Sequence, residues 1–181
     1  SRANLHYELR RPANDTAKQQ NLIQLRRQLE GHGIVYCATV KNGETVGRVL
    51  EAEGLTAAVY HGRMAATRRR ETQDRFMAGE LKTIVATNAF GMGIDKADIR
   101  FVIHYNFPGS LESYYQEAGR AGRDGLPASC VLLYQPEDKR IQSFFLGGRY
   151  PTPEQTKSVA DALVSLYRET GEPQPLRDIA E

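Results

Sequence analysis

A chain of 181 residues with 24 Lys and Arg against 22 Asp and Glu carries a net charge of only +2. That excludes a basic tail or a histone-like packer, so any contact with nucleic acid must come from local patches. At 40% hydrophobic and 25% charged residues the composition is that of an ordinary globular domain, long enough for a single real core. Cys37 and Cys130 are too few for a disulfide framework or a four-ligand zinc site. Both lie in apolar runs, where they read as small core residues in a reducing compartment. No apolar run approaches the roughly 18 residues of a membrane span, and no signal-peptide pattern opens the chain. An intracellular protein without membrane contact is expected. Ser1 and Glu181 both read as cuts through a longer chain.

Leu5, Tyr7 and Leu9 alternate with polar residues and predict an opening strand exposed on one face. Asp15 or Thr16 can cap a helix running to about Glu30, with Gly31 as its stop. Gly33-Ile-Val-Tyr-Cys-Ala38 is a nearly continuous apolar run, as expected of a buried parallel strand. A helix over 43–53, a strand over 56–60, a charged helix over 67–78 with Arg68, Arg69 and Arg70, and strands over 82–87 and 100–104 follow. A helical lead-in from Ser110 precedes the last strand, 128–134. Strands alternating with helices at this spacing predict a βαβ series and a mostly parallel sheet covered on both faces, an α/β lobe. Beyond it, 136–146 reads as one more helix. A second is predicted from Thr152, with a proline at the first helical position, to about Thr170, followed by a Pro-rich linker.

The stretch Gln116-Glu-Ala-Gly-Arg120-Ala-Gly-Arg123-Asp-Gly125 stands out. On a helix, Gln116, Arg120 and Arg123 fall within about 60° of one another, so one face would carry an amide and two guanidiniums. Guanidiniums suit bidentate contact with phosphate oxygens, and the small residues between them let another surface come close. By itself the stretch reads equally as a solvated helix end in which Arg120 and Arg123 pair with Glu117 and Asp124.

Ligands of doubly wound sheets sit beyond the C-terminal ends of the strands. Thr39, Lys41 and Asn42 follow one strand and can serve phosphate binding, helix capping, or both. His61, Gly62 and Arg63 follow another; His61 is either a ligand or a structural hydrogen-bonder. His6, His32 and His104 read as strand or surface residues. Thr87-Asn-Ala-Phe-Gly91-Met-Gly93-Ile-Asp95-Lys96 follows a third strand, with glycines that permit close backbone approach and an aspartate suited to a ribose hydroxyl or an arginine. The Arg68–Arg70 run reads as a solvated helix face. The sequence contains no GxxxxGK[ST] loop, no strand-borne acidic pair for magnesium, no HExxH and no Ser-His-Asp arrangement. The chain has arginines able to act on a nucleotide but not the cradle that would bind one. This points to a lobe that supplies residues across a cleft to nucleotide held by a partner.

Val85-Ala-Thr-Asn-Ala-Phe-Gly-Met-Gly-Ile-Asp95-Lys, Phe101-Val-Ile-His104, Ser110-Leu-Glu-Ser-Tyr-Tyr-Gln116 and Glu117-Ala-Gly-Arg-Ala-Gly-Arg-Asp-Gly-Leu126 closely resemble motifs V and VI of the RecQ family of superfamily 2 DNA helicases. Ile34-Val-Tyr-Cys37 resembles motif IV, and the likeness runs from about Asn4 to Tyr134. It implies a RecA-like three-layer α/β/α lobe over 1–135, the second lobe of an ATP-dependent motor that unwinds DNA 3′ to 5′. A helical extension over 136–171 and a linker over 172–181 would follow. The resemblance implies that Arg123 is the arginine finger, Arg120 its catalytic companion, and Gln116 and Asp95 further nucleotide-site residues. It also implies that Thr39 and Thr87 contact the backbone of the tracked strand; Lys41, beside a position where the family has arginine, Arg63, at a site usually small, and Asn88, next to Thr87, are read as further nucleic-acid contacts. ATP and Mg2+ would be held mainly by the N-terminal RecA-like lobe of the same protein, and the DNA partner would be a single strand and its duplex junction. Three features depart from the family pattern. Val40 stands where an arginine is usual, His61-Gly-Arg-Met64 replaces His-Ala-Gly-Leu, and nothing after Cys130 can supply the usual four-cysteine zinc module, so no zinc is expected. The rival readings are a lobe of an RNA helicase or remodelling ATPase and a non-catalytic nucleic-acid-binding module.

Overall fold

An apolar run without a polar face is stable as a strand only when helices cover both sides of its sheet. The computed structural model, which describes residues 2–87, 90 and 94–138, supplies that cover. Among the described residues the elements are β1 (Leu5–Arg10), α1 (Asp15–Gln28), β2 (His32–Tyr36), α2 (Val40–Ala52), β3 (Ala57–Tyr60), α3 (Ala66–Met77), β4 (Thr83–Ala86), β5 (Ile99–His104), α4 (Leu111–Ala118) and β6 (Ala128–Leu133). The strands make one six-stranded sheet in the order β1-β6-β5-β2-β4-β3. Every neighbouring pair is parallel. The expected α/β lobe is present, all of it in a unit spanning Ser1–Gln142.

Side chains of β2 alternate between two cores, as the pleat requires. Ile34 and Tyr36 join Phe76 of α3 and Ala118 of α4 on one face. Val35 and Cys37 join Leu22 of α1 and Val46 and Leu50 of α2 on the other. Leu22, Val46 and Leu50 are fully buried, each removal from water being worth about 1.5–3 kcal/mol. Gly47 lets α2 lie directly on β3, since a Cβ there would come within 2.4 Å of Val59 Cγ2. Cys37 and Cys130 are free and buried, and burial raises both thiols, that of Cys130 to about 11.

Four expectations are corrected. α1 is capped by Asn14, whose side chain accepts from Ala17 N at 2.8 Å, one residue before the predicted Asp15. α2 starts at Val40 rather than Gly43, because Thr39 caps it. On β1, an edge strand of the sheet, only Leu5 is buried; Tyr7 and Leu9 are 45% and 51% exposed. The Tyr7 ring leans on Tyr114 of α4, 6.2 Å between centroids. Finally, α4 ends at Ala118, so Arg120 and Arg123 do not continue its face. The expected helix over 136–146, the extension over 136–171 and the linker over 172–181 lie largely or wholly outside the described residues. So do Asn88, Gly91 and Gly93.

Candidate functional site

Two glycines end α4 and build the turn that carries the arginines. Ser110 caps the helix by accepting from Ser113 N at 3.0 Å. Arg120 N and Ala121 N then donate to Glu117 O and Ala118 O in a tightened last turn. Gly122 adopts φ +57, where an added Cβ would sit 2.6 Å from Asn4 Nδ2 and 2.7 Å from Leu126 O. Its N–H donates to Ile99 O at 2.8 Å, and Asp124 N donates to Ala97 O at 3.3 Å. The turn is thereby tied to the N-terminal end of β5.

The chain before β1 closes the turn from the other side. Arg2 donates to Gly119 O at 2.8 Å and also to Gly122 O. Asn4 Nδ2 donates to Gly122 O at 2.8 Å and to Leu126 O at 2.9 Å. These side chains give the carbonyls of the turn donor partners outside any helix or strand ladder. Gly122→Ala combines left-handed backbone strain with this crowding. It is expected to cost about 2–3 kcal/mol, read as a lower unfolding temperature.

Arg123 leaves this turn to donate to Asp95 Oδ1 at 2.8 Å and to Ile94 O at 3.3 Å. The Arg123 side chain is 36% exposed and that of Asp95 88%, so the pair stands at the surface. Arg123 pairs with Asp95 rather than with Asp124. Asp124 pairs with Arg100, whose hydrogen bond holds its carboxyl below the usual range. Glu117 takes His104 as partner, with Oε2 2.9 Å from Nε2.

Tyr36, at the end of β2, joins these parts. Its hydroxyl donates to Phe90 O at 3.1 Å, and burial pushes the phenol well above its usual range against the pull of Arg120, with which it shares a hydrogen bond. Its ring stacks on His104 with centroids 5.5 Å apart. His104 is wholly buried. Gln116 lies exposed on α4. Tyr36, His104, Arg2 and Asn4 are supports that pattern reading missed. The signal for His104 was a polar ring closing the apolar run Phe101-Val-Ile103.

Among the described residues, those expected to face nucleic acid sit past the C-terminal ends of β2, β3 and β4. Thr39 Oγ1 accepts from Asn42 N at 3.1 Å, so its own proton remains available for donation outward. Lys41 is exposed in the first turn of α2. Arg63 is exposed in the turn after β3, which is closed by Met64 N to His61 O at 3.1 Å and by Arg69 to Gly62 O at 2.9 Å. His61 is buried, its Nε2 3.8 Å from Glu44 Oε1, beyond hydrogen-bond range. Thr87 is 7% exposed; its N–H donates to Tyr60 O and its carbonyl accepts from Phe90 N. Asp95, read with this strand-end loop, is instead bound to the turn anchored on the N-terminal end of β5.

A parallel six-stranded lobe with a glycine-bounded arginine turn on one side and a capped, basic helix start on the other defines a class. The helicase conserved C-terminal domain family matches residues 17–125, and the chain belongs to that family. It is a helicase C-terminal lobe related to RecQ helicases. The ATP-dependent DNA helicase RecQ of Bacillus subtilis (strain 168) is 46% identical over 146 residues, 81% of this chain and 24% of that protein. The ATP-dependent DNA helicase hus2/rqh1 of Schizosaccharomyces pombe is 45% identical over 139 residues, 76% of this chain and 10% of that protein. The chain thus spans a quarter or less of these relatives. In fold it is similar to the E. coli DEAD-box protein SrmB, with a TM-score of 0.70 at 23% identity over 78% of this chain and 83% of that one. No helix among the described residues is long and apolar enough to cross a membrane.

Proposed function

We propose that this chain is the second motor lobe of a RecQ-like, ATP-dependent 3′-to-5′ DNA helicase, and that Arg123 is its arginine finger. The observation that supports this most is the presentation of Arg123. Its backbone is fixed by the Gly122 turn while its guanidinium stands at the surface on an exposed aspartate. A guanidinium held so can exchange Asp95 for the oxygens of a transferring phosphoryl group, stabilising charge as it develops. Arg120, steadied by Tyr36, would take a second phosphate oxygen. Gln116 would report nucleotide state to the lobe interface, and Asp95 would meet the ribose side.

The sequence contains no phosphate-cradling loop, and among the described residues no three His, Cys, Asp or Glu side chains converge to hold a metal ion. We assign ATP and Mg2+ to a preceding RecA-like lobe, where the ion would neutralise charge on the phosphates. Thr39, Lys41, Arg63, Thr87 and Asn88 would grip the backbone of the tracked strand near the duplex junction. Such contacts make binding sequence-tolerant and salt-sensitive. Residues 1–135 form the lobe in this reading, 136–171 a helical extension in place of a zinc module, and 172–181 a linker. The work is intracellular, where the DNA is.

The test is unwinding by the full-length protein of 3′-tailed duplexes of matched sequence. DNA duplexes are expected to open with ATP and RNA duplexes not. Opening of RNA alone would move the lobe to the RNA helicase reading. ATP turnover by residues 1–181 alone would contradict the assignment of the nucleotide to another lobe.

A further inference from the structure

A buried ion pair lies outside the nucleotide side of the lobe and has no part in the assignments above. Lys18 Nζ stands 3.1 and 3.0 Å from Asp138 Oδ1 and Oδ2, with side chains only 1% and 5% exposed. Replacing such a pair by apolar side chains is often neutral or stabilising, so its presence is weak evidence of a stabilising role. What it touches is more informative. Asp138 Oδ1 also accepts from Asn106 Nδ2 at 2.9 Å, and Oδ2 from the N–H groups of Phe107 and Gln135, each at 3.3 Å. The carboxylate can only accept, so it turns the Asn106 amide with its NH2 inward and its oxygen toward α2. That oxygen accepts from Ala38 N at 3.1 Å and from Asn42 Nδ2 at 3.0 Å. Asn42 N in turn donates to Thr39 Oγ1. From a buried lysine the chain of bonds runs to the two sides of Thr39 and to the helix turn that carries Lys41.

We infer that Lys18, Asp138 and Asn106 are positioning residues for the strand grip: they fix the 38–42 turn so that the Thr39 hydroxyl, the first N–H groups of α2 and Lys41 meet one backbone phosphate together. The inference rests on the reading of Thr39 and Lys41 as strand contacts. Ordering such a turn at the moment of binding would cost affinity, and pre-ordering it avoids that cost. Asp138 reaches this network from past the end of β6, so the segment leaving the lobe is bonded to the grip through one asparagine.

The experiment measures binding of a fluorescent oligo-dT strand by the full-length protein, together with the DNA concentration that half-saturates ATP turnover. Four single variants are compared, Thr39→Ala, Lys41→Ala, Asn42→Ala and Asn106→Ala, with the double variant Asn106→Ala/Thr39→Ala. Asn106→Ala is expected to weaken strand binding about tenfold and Asn42→Ala about threefold. In Asn106→Ala, turnover at saturating DNA and affinity for ATP should stay unchanged. The double variant should bind no more weakly than Asn106→Ala, because a misplaced Thr39 has nothing left to lose. Asn42→Ala keeps a good helix former in α2, so it carries the test if Asn106→Ala does not fold. Wild-type binding by Asn42→Ala, or independent additive losses in the double variant, would overturn the positioning role. Wild-type binding by both Thr39→Ala and Lys41→Ala would instead remove the grip itself, and the relay with it.

Discussion

Arg123→Ala in the full-length protein is expected to lower DNA-stimulated ATP turnover by at least about 10³-fold while leaving ATP affinity nearly unchanged. Arg123 is a surface group whose lost partners are Asp95 Oδ1 and Ile94 O, and its backbone is held independently through Gly122. Truncation therefore should not disturb the fold. Calorimetry of nucleotide binding beside steady-state turnover separates the two effects. Near-normal turnover in this variant would sink the finger assignment. Arg123→Lys should recover little, since an ammonium on a flexible stem lacks the planar fork that meets two oxygens at once.

The largest loss of stability is expected at the opposite side of the lobe. Lys18→Ala leaves the Asp138 carboxylate buried with no cation, and breaking a buried pair in this way typically costs about 3–5 kcal/mol. A marginally stable domain has little more than that to give. Thermal unfolding of the full-length protein should show the first transition falling sharply. The double variant Lys18→Met/Asp138→Leu should recover part of the loss by removing both charges, although the N–H groups of Phe107 and Gln135 then lose their acceptor. A Lys18→Ala protein as stable as the parent would show that water reaches the carboxylate.

The strands were legible because periodicity encodes burial: a run such as Gly33-Ile-Val-Tyr-Cys37 has no face to offer water. Helix ends were harder. Gln116, Arg120 and Arg123 fit one helical face by arithmetic, yet α4 stops at Ala118. Gly119 and Gly122 were the available sign: Gly119 is the C-cap of α4, and Gly122, at φ +57, takes the left-handed conformation that commonly closes a helix. Thr39 was readable as both cap and contact, and it is the cap of α2. The buried polar network was not readable. Lys18 and Asp138 are 120 positions apart, and only the adjacency of β5 and β6 to α1 brings them together. His104 could be placed on a strand but not given its partner, because Glu117 faces it only once α4 packs across the sheet.

The bonds from Arg2 and Asn4 to the carbonyls of Gly119 and Gly122 have a practical side. An expression boundary drawn at the first residue of β1, Leu5, would keep every strand and helix and look complete. It would also strip the turn that carries Arg123 of the side chains that close it. A lobe trimmed there is expected to fold with a loosened Arg123, and a weak result from it would be a result about the scissors, not the arginine.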